Sequence, residues 1–319
     1  MARLGNRNGV AVRWASYTSA RDGREHAALV VDDTLRALPY PQTLLGILKD
    51  GTTDDSARTA LADPWEVVPY SPATLLAPIP TPPSIRDFMS FENHVVTSMA
   101  AMGGTVDPVW YEQPTFYFTN PAAVTRPHDD IPIAPGSVKF DFELEVAAVI
   151  GRAGSDIRVE DAEQYIAGYT VLCDWSARDL QEREMRVGLG PAKGKDTATT
   201  IGPLLVTPDE LEPFRSAGGF DLAMTVDVNG TRYSTGNWNT LYWTFPQMIA
   251  YASRGTTLHP GDIIGSGTVG TGCILELARV HGEQAYPWLK AGDEVRIEVE
   301  QLGSLTGWIV PGADPAPLS

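Results

Sequence analysis

The stretch FDFELEVAAVIG, Phe140 to Gly151, reads as a β-strand whose polar face does not stay polar. With a two-residue period, Phe140, Phe142, Leu144 and Val146 point one way and Asp141, Glu143 and Glu145 the other. A solvated face would continue polar. Here it continues as Ala147 and Val149, so the strand passes from three carboxylates into a segment apolar on both sides, the pattern of a strand buried in a core. The question is what holds carboxylates two residues apart at the rim of that core.

Bulk composition removes several answers. A chain of 319 residues can bury a large core and accommodates one large domain with a smaller one. Its 40 acidic against 24 basic side chains give a formal charge of -16, with no basic stripe, which argues against nucleic acid and anionic membrane surfaces as partners. Cys173 and Cys273 stand far apart and form neither a disulfide framework nor a zinc knuckle, as expected of a chain in a reducing cytoplasm. The N-terminal MARLGNRNGVAVRW has no apolar signal core, and no window approaches the ~20 apolar residues of a membrane span. A soluble, unprocessed protein is expected.

Residues 1 to 77 read as a small α+β unit, with strands near Val10 to Tyr17 and Ala27 to Val31 and a short helix around Thr43 to Lys49. APIPTPPS, Ala77 to Ser84, marks a linker because its prolines forbid regular structure. Residues 78 to 319 then show many short strands separated by Gly and Pro turns, including an Asn229-Gly230 hairpin signal, and end in the irregular VPGADPAPLS. The fold class is α+β, mainly β. One helix stands out in SFENHVVTSMAAMGG: Ser90 is the N-cap candidate, Phe91, Val95, Met99 and Met102 form its stripe, and Gly103-Gly104 stop it. His94 falls in its first turn, where the helix dipole favours the neutral imidazole that a general base requires. GSGTVG, Gly265 to Gly270, fits a dinucleotide fingerprint, but the following TGCILELARV reads as strand, which leaves no helix dipole for a pyrophosphate. Asn229-Gly230-Thr231 is a turn rather than a glycosylation site.

The acidic strand has acidic neighbours in sequence. VLCDWSARDLQ ends an apolar run at Asp174, and Asp87 adds a further carboxylate; gathered together, these oxygens suit Mg²⁺, Mn²⁺ or Ca²⁺. Without a cation they would repel or take up protons. On spacing alone, acids that are solvated or paired with Arg178 and Lys193 account for the pattern equally well.

The ordered set RDFMSFENH, FDFELEVAAVIG, VLCDWSARDLQ, GLGPAKGKDTATTIGP, LYWTFPQMIAYASRGTTLHPGDIIGSGTVG and CILELARV resembles the fumarylacetoacetate hydrolase family from about residue 78 to the end. The resemblance implies a mixed β-roll with a small N-terminal α+β domain, a homodimer, a divalent cation, and a small anionic keto-acid substrate such as those of aromatic catabolism. It implies that Glu143, Glu145 and Asp174 ligate the cation, with Asp87 where fumarylacetoacetase has a further ligand. His94 matches the water-activating histidine and Glu276 the carboxylate that orients it. Arg178, Gln181, Thr268 and, more loosely, Tyr117 match substrate contacts. The catalytic lysine is Lys195 by ungapped alignment through LGP and Lys193 by the shorter acylpyruvase pattern; Lys195 is preferred because the YWT segment also resembles fumarylacetoacetase more than the acylpyruvases. Met89 and Met185 stand where fumarylacetoacetase has tyrosines, and Gly103 where it has an arginine, which favours a substrate with a less polar tail. The expected reaction is metal-dependent hydrolysis of a C–C bond in a β-diketo acid; the alternative is decarboxylation, isomerisation or dehydration of a 2-oxo acid.

Overall fold

A computed structural model of the chain describes residues 11–101 and 103–317. Val10 and Met102, assigned above to a strand and a helix stripe, lie outside the described residues, as do the last two residues of the C-terminal tail. The fold is α+β and mainly β.

The acidic strand sits at the centre. Leu144–Ile150 is buried along its whole length, between the antiparallel strands Ile166–Asp174 and Ile263–Gly265. Its alternation feeds two cores. Leu144, Val146, Ala148 and Ile150 enter the larger cluster, while Ala147 and Val149 enter a second one with Ile85, Leu172, Ile201 and Ile263. That second cluster also holds Trp14, Leu29, Leu44, Ile47 and Ala57 of the N-terminal segment. The face on which Glu145 lies is therefore covered by N-terminal residues.

The N-terminal strands join the same sheet. Glu66–Pro69, Thr34–Ala37, Glu25–Val31 and Arg13–Thr18 pair in that order, and Arg13–Thr18 then pairs with Thr199–Val206. The order continues through Ile166–Asp174, Leu144–Ile150, Ile263–Gly265, Ile85–Phe88 and Phe116–Thr119. The sheet is mixed, because Ile263–Gly265 runs parallel to Ile85–Phe88. Ala77 to Ser84 has no regular structure, as its prolines dictate, yet Pro78 and Ile79 are buried and Ser16 donates a hydrogen bond to the Pro78 carbonyl at 2.8 Å. The division into residues 1–77 and 78–319 is thus a proposal about folding units within one continuous sheet. A second sheet of five strands contains the Asn229-Gly230 hairpin, in which both turn residues have positive φ.

Four local readings change. The stretch read as one strand over Phe140 to Gly151 is two, Phe140–Asp141, paired with Ser176–Ala177 in a separate small sheet, and Leu144–Ile150, with Phe142 and Glu143 between them outside regular structure. The segment after GSGTVG is a helix, Ile274–His281, and not a strand. Its N-terminus is anchored from far away in sequence: Asp141 accepts hydrogen bonds from Ile274 N at 2.7 Å and Leu275 N at 3.0 Å. A carboxylate already occupies the positive end of this helix, so a pyrophosphate still finds no place there. The His94 helix runs Glu92–Ala101, one residue too late for Ser90 to cap it; the Ser90 hydroxyl instead donates to Met248 Sδ. Gly103-Gly104 does end that helix, with Gly103 left-handed and Gly104 N bonded to Met99 O. Finally, Thr53–Ala62 is a helix that covers the N-terminal strands and had not been expected. Among the described residues no helix is long and apolar enough to cross a membrane.

Candidate active site

Parity places the carboxylates. Along Ile85–Phe88 the residue sharing a face with buried Ile85 is Asp87; along Ile166–Asp174 the one sharing a face with Leu172 is Asp174; on the central strand Glu145 shares the face of Ala147. Toward the ends of three of four consecutive strands, with Ile263–Gly265 between the Glu145 and Asp87 strands, the apolar face shared with the N-terminal segment thus gives way to three carboxylates. One oxygen from each of Asp87, Glu145 and Asp174 lies within 4.8 Å of the other two, and all three residues are buried.

The site leaves room for them. A Cβ on Gly265, in the strand between Glu145 and Asp87, would lie 2.5 Å from Asp87 Oδ1 and 3.3 Å from Glu145 Oε2. Gly267, with φ of 76°, brings its backbone against Phe88 and donates its N–H to Glu145 Oε2 at 3.0 Å. Asp87 Oδ1, Glu145 Oε1 and Asp174 Oδ1 receive no hydrogen bond among the described residues. Three buried acceptors on three clustered carboxylates, without donors among the described residues, are what a cation would satisfy.

The surrounding cations are already engaged. Lys195 Nζ donates to Glu143 Oε2 at 2.5 Å, Asp174 Oδ2 at 2.7 Å and Ser176 Oγ at 2.7 Å, which uses its three protons. Arg178 meets Asp141 Oδ2 through Nε and Glu143 Oε1 through Nη2, each at 2.8 Å, and Gln181 Oε1 through Nη1 at 3.3 Å. Tyr117 OH donates to Asp87 Oδ2 at 3.1 Å and also to Asp174 Oδ2. Two basic groups thus face Asp141, Glu143, Asp174, Glu145 and Asp87, leaving the equivalent of three negative charges uncompensated.

The protonation equilibria record that imbalance. Burial, followed by the Asp174 charge, pushes Asp87 up to about 7; burial, opposed by Lys195, brings Asp174 to about 6. Burial and the neighbouring Asp87 charge hold Glu145 well above the carboxylate range. Glu143 goes the other way: burial would raise it, but Lys195 and then Arg178 and His94 draw it far down. Glu143 therefore remains ionised beside Lys195, while Asp87, Glu145 and Asp174 form the close trio.

The second constellation joins two helices. His94, on Glu92–Ala101, places Nδ1 2.5 Å from Glu276 Oε1, on Ile274–His281. Glu276 Oε2 accepts Thr271 N at 3.0 Å, so both carboxylate oxygens are held. With Nδ1–H donated to the carboxylate, Nε2 is the proton-free nitrogen. His94, Glu276 and Lys195 are all buried, and His94 is close enough to Glu143 to influence its charge.

Of the two candidate lysines, Lys195 is at the centre and Lys193 is not: the Lys193 side chain is 70% exposed and pairs with Asp196 at 2.7 Å. Thr268 is buried on the Gly265–Gly270 loop, and Gln181 is half-buried beside Arg178. Met89 and Met185 are exposed. Sequence reasoning gave no role to Asp141, which ties Arg178 to the Glu276 helix, or to Ser176, Thr199 and Gly265. Thr199 pairs with Asp174 across the sheet, and its buried Oγ1 has no hydrogen-bond partner among the described residues. Its place on the carboxylate face was available from the parity of Ile201; the role of Asp141 depends on a tertiary contact and was not.

Comparison with known proteins shows the family and the fold. The family model described as "Fumarylacetoacetate (FAA) hydrolase C-terminal" matches residues 84–310. The human protein "Oxaloacetate tautomerase FAHD2A, mitochondrial" is 32% identical over 272 residues, covering 85% of this chain and 80% of that protein. Among solved structures, fumarylacetoacetate hydrolase from Exiguobacterium antarcticum aligns with a TM-score of 0.73 at 24% identity, over 94% of this chain and 100% of that chain. Maleylpyruvate hydrolase from Sphingobium sp. SYK-6, solved with manganese (II) ion and pyruvate, aligns with a TM-score of 0.68 at 23% identity over the same shares.

Proposed function

The chain belongs to the fumarylacetoacetate hydrolase family, whose members are enzymes acting on keto acids, and from that premise we propose that it is a divalent-cation-dependent hydrolase that cleaves a C–C bond in a β-diketo acid. The observation that carries the reading is the buried His94–Glu276 pair beside a carboxylate trio built for a cation. Asp87, Glu145 and Asp174 would hold Mg²⁺, Mn²⁺ or Ca²⁺, with Glu143 at the edge of the set through Lys195. When bound there, the cation supplies Lewis acidity that polarises a substrate carbonyl, and positive charge that admits an anionic acid to a protein of charge -16.

The protein groups divide the remaining work. His94 takes a proton from water through Nε2, while Glu276 fixes the tautomer and orientation of the ring. Lys195 is committed to Glu143, Asp174 and Ser176 in this arrangement, so it fixes the carboxylates and acts on a developing oxyanion through its field. Arg178 and Gln181 hold the carboxylate end of the substrate, with Thr268 and Tyr117 as further contacts. Exposed Met89 and Met185 favour a tail less polar than that of fumarylacetoacetate.

A second reading is keto–enol tautomerisation of a 2-oxo acid. Its support is the human relative, a named oxaloacetate tautomerase at 32% identity, and His94 would serve equally as the base that removes a carbon-bound proton. A panel of acylpyruvates, fumarylpyruvate, fumarylacetoacetate and oxaloacetate, assayed with Mg²⁺ or Mn²⁺, separates them: cleavage yields two acids, tautomerisation only a change in enol absorbance. Turnover of oxaloacetate alone would sink the hydrolase reading. Fumarylacetoacetate outrunning every acylpyruvate in kcat/KM would overturn the tail preference.

The unpaired Cys173 and Cys273 support a cytoplasmic location. A symmetric homodimer is also proposed. Light scattering at micromolar concentration is expected to report about twice the 34.5 kDa of the chain; a value at the chain mass removes the proposal.

A further inference from the structure

Beside the oxygen trio lies a set of donors of a different kind. Cys273 is the residue immediately before the Glu276 helix, fully buried, with Sγ 3.7 Å from Glu276 Oε1, the same oxygen that meets His94 Nδ1. One atom each of His94, Cys273 and Glu276, a nitrogen, a sulfur and an oxygen, lie within 4.8 Å of one another. A tetrahedral zinc, with ligand bonds of about 2.0–2.3 Å, holds its ligand atoms roughly 3–4 Å apart, so small side-chain adjustments would close this set around one. Three protein ligands are also the number found in zinc sites that keep a fourth position for water.

We propose that His94, Cys273 and Glu276 form a second metal site, selective for zinc-class cations, whose occupation switches the enzyme off. Selectivity follows from donor chemistry: an all-oxygen trio suits magnesium or manganese, while imidazole and thiolate favour the softer zinc. Entry of zinc on the Nδ1 side releases the thiol proton to solvent and moves the ring proton from Nδ1 to Nε2, so that Nδ1 and the Glu276 carboxylate are taken up by the metal and Nε2, now protonated, can no longer accept a proton. The inhibitory part rests on the reading of His94 as the base; the metal site does not. Because the two sets share no residue, excess Mg²⁺ relieves no inhibition. Without a metal the buried Cys273 would be inert, since burial, and next the Asp141 charge, keep its thiol protonated.

Cobalt(II) gives a readout independent of turnover, because a thiolate ligand produces a near-ultraviolet charge-transfer band. The full chain, saturated with Mg²⁺, is titrated with Co²⁺. The band is expected at one equivalent, to vanish on addition of Zn²⁺, to be lost in Cys273→Ser and to persist in Cys173→Ser; these are the two cysteines of the chain. Zn²⁺ affinity in Cys273→Ser should fall by more than the ~10–100-fold cost of disturbing an outer-shell group. His94→Gln, which keeps the thiol, should weaken Co²⁺ binding and serves if the cysteine variant does not fold. Absence of the band in the parent, its survival in Cys273→Ser, or its loss on raising Mg²⁺ overturns the site. A band without inhibition of each protein's own rate keeps the metal site and overturns its inhibitory role together with His94 as base.

Discussion

His94→Ala is expected to lower kcat for the preferred β-diketo acid by about 10²–10⁴-fold while leaving Mg²⁺ or Mn²⁺ affinity, read by calorimetry, unchanged. The size follows from removing a positioned proton acceptor. The separation from metal binding follows from geometry, because His94 contacts Glu276 and is not one of the carboxylate trio. Glu276→Gln should act in the same direction and less severely, since the imidazole remains but faces a neutral amide in place of the carboxylate that fixes its tautomer. Any decarboxylation of oxaloacetate should survive both changes, because a Lewis acid alone can stabilise its enolate. An alanine variant that hydrolyses as fast as the parent would end the case for His94. Equal losses of hydrolysis and of cation affinity would instead make His94 part of the metal site.

What the sequence disclosed and what it concealed follow from the range of the interactions. The central strand was legible because its burial is written in its own alternation, with Ala147 and Val149 continuing the face of Glu145. The His94 helix was legible through Val95, Met99 and the glycine stop, and the Asn229-Gly230 hairpin through its turn residues. ILELARVH was misread because its aliphatic residues fit either period. What makes it helical at its start is Asp141, whose carboxylate takes two N–H groups at the end of a contact no local pattern contains. The same contact ties the acidic strand to the Glu276 helix, and Arg178 extends it to Glu143. Of the three acids in that stretch, Asp141, in a short strand of its own, anchors the helix, Glu143, between the two strands, faces Lys195, and Glu145, on Leu144–Ile150, enters the trio. Their sequence spacing could not distinguish these fates, since a two-residue period assigns all three to one face and does not reveal the break at Phe142 and Glu143.

That division of labour predicts opposite effects of two glutamates two residues apart. In cation-free protein, Asp87 at about 7, Asp174 at about 6 and Glu145 well above its ordinary value all exceed unfolded values near 4. The folded state then binds more protons than the unfolded one between about pH 4 and 7, so stability falls as pH rises through that window. Glu145→Gln removes one of the crowded charges while keeping shape. In EDTA at pH 8 it should melt higher than the parent, by on the order of 1–3 kcal/mol or roughly 2–8 °C. With Mn²⁺ at 1,000 times its dissociation constant the parent gains about 4.1 kcal/mol and the order reverses, because the variant has lost a ligand. Glu143→Gln should destabilise in both conditions, by about 3–5 kcal/mol, because it deprives buried Lys195 and Arg178 of their shared partner. Scanning calorimetry of the three proteins with and without cation decides the matter. If Glu145→Gln melts below the parent in EDTA, the trio is not a repulsive cluster awaiting a cation; if Glu143→Gln shows the reversal instead, Glu143 is the ligand and Glu145 the partner of the basic groups.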